Sequence, residues 1–560
     1  MEEAQITRTC ERLAAAAAAI LAITAAPAEA RLSITAGART YVEARAAAAS
    51  GNHVRAAQLL ASLAVAEPSQ VDVAKKALSE ALGSGQIDLA LSLVNSVPAA
   101  DLPTDARLLV AGEEIRRGHP ERAIPWLAAS GSSGDLTFLT PLIKAWNAAD
   151  GGDLPKALAA LDEVPSGSLF APLVSEERAL ILIKFKHTAE AETFARQAVG
   201  SAGGRDERLR LAFADGFLGA GDPNRALMII DGMGTGEAAE RQRIRAGRQS
   251  GQAIDTLARA FAEVLTAFAA DLTRVQRGAA PIGLVQVAHY VNPQSSSTIA
   301  LLALLLAGQD RTNEALALVQ AVPSSDALIS PVRDVQTRIL TNNKRLDDAY
   351  RLAAAAAADP GAEAADYSRL GDVLQAMKRH GEAAEAYGRA IALAQAENFK
   401  GAIWSLLLLR ASALEQANRW PEARAALQQG LVLAPNEPLL LNFLGYAQLE
   451  RGENVVAAEA MIRKASELAP DDASITDSLG WAEVKRGKLE DAITTLQRAA
   501  EKDPQQAEIQ EHLGDALYRA GRRYEARFAW NASLVTAEDE IATRVKAKLA
   551  SGLTPANAAP

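Results

Sequence analysis

Three leucine–glycine pairs recur near the end of the chain, Leu444-Gly445, Leu479-Gly480 and Leu513-Gly514, with the glycines 35 and 34 residues apart. A small residue follows each glycine twelve positions later, at Ala457, Ala492 and Ala526, and prolines close successive units at Pro435, Pro470 and Pro504. A period near 34 residues means a repeat array, which constrains the fold more than any single residue does. Such a unit has room for two short helices and two turns. The spacing predicts that the glycine lies where the second helix crosses the first closely, with the alanine as the matching small residue on the second helix. Leucines and aromatics at helical spacing give each helix one apolar stripe. An isolated pair cannot bury that stripe, so units stack and each covers its neighbour. Proline ends the second helix because it lacks an N–H and clashes with the preceding turn. Asn436-Glu437 and Pro470-Asp471-Asp472 then supply capping residues that also suit the helix dipole.

The array extends upstream with a weaker pattern. Gly51, Ala56 and Pro68 fit one unit; Gly85, Ala90 and Pro98 the next; then Gly118 with Ala123, and Gly152 with Ala157 and Pro165. Lys186, Ala191 and Ala198 form a degenerate unit, as do Gly221 and Ala226, and Ala303, Ala315 and Pro323 restore the register before Ala349 and Pro360. The count is about thirteen or fourteen units. Residues 37–236 and 296–362 read as degenerate units, 237–295 as helical units in poor register, 363–537 as well-formed units, 538–553 as a capping helix and 554–560 as a disordered tail. Ile541, Val545 and Leu549 give that closing helix an apolar stripe, with acidic residues at its start and Lys546 and Lys548 near its end. Alanine dominates, aromatics are 4% of the chain, and no sustained alternating pattern calls for strands.

Four positions per unit carry a resemblance to the tetratricopeptide repeat (TPR) family: Leu479-Gly480, Gly487, Ala492, Leu496, Ala499 and Pro504; Leu513-Gly514, Gly521, Ala526, Trp530 and Ser533; Ala411, Leu414, Ala423, Leu427 and Pro435; Leu370-Gly371, Ala383, Tyr387 and Ala390. The resemblance implies an all-α, right-handed solenoid of helix-turn-helix units, coiled into a superhelix whose concave face is lined by the first helix of each unit. Peptides or partner proteins bind such a face. By repeat position, Asn442, Tyr446, Asp477, Trp481, Lys485, Glu511, Asp515, Tyr518 and Arg519 are expected to face the groove. They are large, aromatic or charged, and Trp, Tyr and Arg most often anchor interfaces. The lysine–asparagine clamp that some members use for a terminal carboxylate is not expected, because Phe443 and Ser478 stand where asparagine would. The segments Leu441–Tyr446, Asp477–Trp481, His512–Asp515 and Gly521–Trp530 look like a bacterial envelope group of these proteins. Some members of that group are lipoprotein adaptors that join a periplasmic carboxyl-terminal processing protease to cell-wall hydrolases.

At the N-terminus, Arg8 and Arg12 precede an apolar run from Leu13 to Ala26, and Ala28-Glu29-Ala30 offers a small-residue cleavage site. This order reads as a secretory signal peptide over 1–30, cleaved after Ala30, which sends the chain to the periplasm. The single cysteine, Cys10, lies before that core, so a mature chain would have no thiol, and the lipoprotein cysteine is missing. A net charge of −10 disfavours nucleic acid. His53, His119, His187, His289, His380 and His512 are scattered without metal-ligand spacing and read as surface or loop residues. No phosphate-binding or nucleophile motif is present, and no cofactor is expected. The reading is a non-catalytic scaffold or adaptor for proteins or peptides, with membrane association only indirect. The alternatives are a cytoplasmic co-chaperone-like module, which would keep the first 30 residues, and the substrate-binding subunit of an enzyme complex.

Overall fold

The computed structural model describes residues 36–128, 134–234, 236–275, 281–396 and 403–559. The expected signal peptide and Cys10 lie outside the described residues. Among those described, the chain is helical throughout and contains no strand. It is an all-α solenoid of helix pairs, and one backbone feature marks the pairs. The turn between first and second helix places a residue at positive φ: Gly51, Gly85, Gly118, Gly152, Lys186, Gly221, Asp310, Lys344, Lys378, Asn418, Gly452, Gly487 and Gly521. At Gly487 the N–H closes onto Val484 O at 3.0 Å, and φ reaches 73°. Glycine holds that conformation without a Cβ penalty, so Lys186 and Asp310 explain why their units look degenerate in sequence.

The close crossing lies where the glycines predict it. A Cβ on Gly480 would stand 2.6 Å from Leu496 Cγ, one on Gly371 2.6 Å from the Tyr387 ring, and one on Gly445 2.8 Å from Ile462. A Cβ on Gly514 would collide with Trp530. The group that fills the space is therefore the large residue one turn beyond the expected alanine. Ala492 and Ala526 are fully buried beside it. Ala457 is exposed instead, and Ala458 is buried in its place. The turn there runs Gly452-Glu453-Asn454, with a second residue, Asn454, at φ 47°, which shifts the helix start by one. Asp472 caps its helix as expected, accepting from Ile475 N at 2.8 Å.

The chain divides into two compact units, Met1–Ile230 with Arg243–Val335, and Asp231–Gln242 with Gln336–Pro560. The first unit contains most of the helical stretch in poor register, 237–295. The helices Leu257–Val275 and Ile282–Val291 form a hairpin that lies against the first helices of earlier pairs. The former packs on Thr104–Arg116 and Thr140–Asp150, the latter on Val71–Gly83 and Thr104–Arg116. A Cβ on Gly112 would meet Val291 at 2.7 Å and Phe261 at 3.6 Å. Tyr290 donates to Glu113 at 2.8 Å, Phe138 and Phe268 meet edge to face at 5.6 Å, and Arg311 donates to Gly83 O at 2.6 Å. Residues 260–267 are all buried, so the middle of this helix is enclosed on every side, while residues 271–274 at its end are exposed.

The second unit contains the pairs that begin with Ala364–Ala376, Ile403–Gln416, Pro438–Glu450, Ala473–Lys485 and Ala507–Arg519, followed by the closing helix Asp539–Ser551. Val545 of that helix is fully buried, and Ile541 and Leu549 pack around it. Residues 554–559, expected as a disordered tail, are folded. Asn557 Oδ1 accepts from Thr554 N at 2.7 Å, its Nδ2 donates to Gly552 O at 2.9 Å, and Ala559 is buried.

Candidate functional site

The crossing glycines orient each first helix, so residues at fixed offsets from them share one face of the array. Asn442, Asp477 and Glu511 stand three before a crossing glycine; Tyr446, Trp481 and Asp515 stand one after; Lys485, Tyr518 and Arg519 complete the row. In the second unit this inner face changes character along the array. At Pro438–Glu450 and the end of Ala473–Lys485 it is partly open: Asn442 and Tyr446 are half-buried, and the Lys485 side chain keeps a third of its exposure, paired with Glu450 at 3.3 Å. Burial raises the Tyr446 phenol above its ordinary range, and the carboxylates of Glu450, Glu508 and Asp477 push it further.

Further along, the face is closed by internal contacts, which corrects the expectation that Asp477, Trp481, Glu511 and Asp515 face an open groove. Trp481 is fully buried and stacks on His512 with ring centroids 4.2 Å apart. Lys485 and Arg519 approach the same indole at 5.4 and 5.6 Å, a cation–π arrangement that leaves Arg519 exposed. Asp477 Oδ2 bonds His512 Nδ1 at 2.8 Å. His512 is thus a buried residue, not a surface one. Desolvation works against its charged form, yet the Asp477 carboxylate outweighs it and the imidazole titrates above its usual value. Glu511 pairs with Arg544 at 2.9 Å and Lys548 at 2.6 Å. Its burial alone would raise the carboxyl, but those two cations hold it below the usual range. Asp515 accepts from Trp530 Nε1 at 2.9 Å and pairs with Lys548 at 2.8 Å. Tyr518 tilts against Trp530 at 5.4 Å. The cause is stacking: each first helix, and finally the closing helix, lies over the row before it. The sequence reading missed His512, Arg544 and Lys548. The available signal was opposite charge at repeat spacing, since His512 follows Asp477 by 35 residues and Lys548 follows Asp515 by 33.

In the first unit the inner face is occupied by the 257–291 hairpin, and buried ions secure it. Glu263 on the hairpin meets Arg208 at 3.2 Å and Arg205 at 3.6 Å, and Arg205 also holds Glu176 at 3.0 Å. Glu177 accepts from Trp146 Nε1 at 2.7 Å. Burial, then the neighbouring Glu176, pushes the Glu177 carboxyl well above its ordinary value. A cavity of about 370 Å³ opens beside this cluster. Its cations are already matched, Arg205 by Glu176 and Arg274 by Asp271, so it offers a ligand no spare charge.

Family comparison addresses the second unit. The "TPR repeat" model matches residues 480–521, and the "Tetratricopeptide repeat" model matches 368–438 and 408–473. No curated protein matches the sequence. Among solved structures, the chain is similar to one from the APC/C hetero-tetramer Cut9-Hcn1, at 15% identity and TM-score 0.38, over 93% of this chain and 97% of that one. It is also similar to a thermophilic TPR protein of Thermus thermophilus, at 20% identity and TM-score 0.30, over 33% of this chain and 99% of that one. A third is YrrB, a TPR protein with an unusual peptide-binding site, at 16% identity and TM-score 0.27, over 35% of this chain and 97% of that one. The matched residues 368–473 and 480–521 hold the crossing glycines Gly371, Gly445, Gly480 and Gly514 and the turn positions Lys378, Asn418, Gly452, Gly487 and Gly521. Residues 368–473 and 480–521 of this chain are tetratricopeptide repeats.

Proposed function

We propose that the chain is an exported scaffold of the bacterial cell envelope, which holds protein partners on the inner face of its second unit. Repeats of this family form a protein-interaction fold that is generally non-catalytic. One observation carries the choice of surface. In the first unit the inner face is filled by the chain's own hairpin. In the second, the inner face of Pro438–Glu450 and the end of Ala473–Lys485 stays partly open. That stretch holds Asn442, Tyr446 and Lys485, a half-buried aromatic flanked by polar groups, which is the composition of an interface anchor. The signal-like order of residues 1–30 and the likeness of the C-terminal segments to envelope adaptors support the location, with a processing protease and its hydrolase substrates as the favoured partners.

The test is affinity capture from an envelope fraction with two baits, the chain from Arg31 and the same chain carrying Tyr446→Ala and Lys485→Glu. The expected result is a protease together with cell-wall hydrolases on the first bait and their loss on the second. Equal capture by both baits would remove the inner face from the reading. Recovery of secretion or polysaccharide-export components instead would overturn the protease assignment. N-terminal sequencing of the protein from its native host checks export, which a chain beginning at Met1 would contradict.

A further inference from the structure

The inner face of the last pairs already holds an occupant. After the closing helix, Gly552 takes φ 83° and turns the chain back; a Cβ there would collide with the Tyr518 hydroxyl. The two side-chain bonds of Asn557 to Thr554 N and Gly552 O hold the returning segment in one shape. The segment delivers Ala559 into the apolar cluster that contains Trp481 and Tyr518. There the Ala559 N–H donates to Asp515 Oδ2 at 3.0 Å. A backbone amide and a single methyl group thus fill a place that, by repeat position, faces a partner. On the neighbouring row, three before each crossing glycine, Asp477 Oδ1 one pair back and Asn442 Oδ1 two pairs back are buried without a donor.

We propose that this face takes an extended peptide segment of a partner protein, with small apolar side chains, bound through its backbone N–H groups. The segment Gly552–Ala559 is the intramolecular competitor that such a peptide displaces. The inference rests on the inner-face reading above. Asn442 and Asp477 offer it acceptors one helix pair apart, on the row next to that of Asp515. An extended chain advances about 3.3 Å per residue and packed helices stand roughly 8–10 Å apart, so about every third amide meets the next acceptor. Because the resident segment is tethered, it competes at an effective concentration no free peptide matches. The apparent affinity of a free peptide is then reduced by the small fraction of open chains.

The experiment uses the full chain, unaltered and with Ala559→Asp, which sets a second carboxylate against Asp515. A fluorescein-labelled peptide with the sequence of residues 553–559, capped at both ends, is the probe. Fluorescence anisotropy is expected to show at least about tenfold tighter binding to the variant than to the unaltered chain. Asn557→Gly, which unties the turn without adding charge, is expected to move affinity in the same direction and keeps the test decisive if the first variant disturbs the closing helix. Equal affinity for all three chains, or no binding to either variant, would overturn the proposal. A partner captured through the inner face equally well by the unaltered and Asn557→Gly chains would overturn the competitor alone and leave the inner-face reading standing.

Discussion

Gly480 leaves no room for even one added carbon, since a Cβ would sit 2.6 Å from Leu496 Cγ. Gly480→Leu therefore forces the two helices apart and is expected to cost about 1–3 kcal/mol in chemical denaturation. Amide exchange should rise first in the pairs on either side, as nearest-neighbour stacking requires. Unchanged stability would place the crossing elsewhere. Glu177 is the second residue with a measurable signature. Its folded carboxyl titrates well above the unfolded one, first because it is buried and next because Glu176 is adjacent, with Glu263 adding to the rise and Trp146 and Arg205 opposing it. The folded state thus favours the proton, and stability falls as pH rises from the ordinary carboxylate range through the raised value. Glu177→Gln keeps an acceptor for Trp146 and cannot ionise. It is expected to raise the unfolding midpoint near neutral pH and to converge with the parent in acid. An unchanged pH profile would mean that another carboxyl of the cluster carries the proton. Of these two residues, only the glycine was legible beforehand. Its role repeats every 34 or 35 residues, whereas Glu176-Glu177 in an isolated helix looks like an ordinary solvated pair until Arg205 and the hairpin are laid over it.

The closing helix Asp539–Ser551 shows how an element can be half legible. Its apolar stripe predicted a cap, and Val545 is buried as that stripe requires. The stripe gave no hint that Lys548 is also fully buried between Glu511 and Asp515. Lysine near a helix end reads as a dipole partner in water, and only the packed neighbour reveals two carboxylates at its depth. Lys548→Met removes a cation and leaves two buried acids with fewer partners, so it is expected to cost about 3 kcal/mol by thermal or denaturant unfolding. Adding Glu511→Gln and Asp515→Asn is expected to restore much of the loss, because the uncompensated charge rather than the missing contact is what destabilises. A variant as stable as the parent would show that Arg544 alone satisfies the pair. The one-residue shift from Ala457 to Ala458 was hidden for a related reason: a turn can lengthen without changing the composition of the helix that follows it.

For the molecule as a whole, the repeat period survived wherever a helix pair meets only its neighbours and failed over 237–295. The middle of Leu257–Val275 is buried around its circumference and packs on helices far from it in sequence, so it does not keep the period of the array around it. Phe261, fully buried against the inner face, tests this closure. Phe261→Ala is expected to destabilise the first unit by about 3–5 kcal/mol. Exchange protection should drop in Thr104–Arg116 and Thr140–Asp150, although these helices lie more than a hundred residues away in sequence. Loss confined to the hairpin's sequence neighbours would instead favour a simple linear array. The hairpin also sets a limit on ancestry. Open arrays lengthen and shorten by duplication or deletion of single units, because a new pair only has to match the pair before it. In the first unit a gained or lost pair would slide the inner faces of Val71–Gly83, Thr104–Arg116 and Thr140–Asp150 out of step with Val291, Phe261 and Phe268. Natural variation in repeat number is therefore expected among the pairs of the second unit, while the first keeps its count.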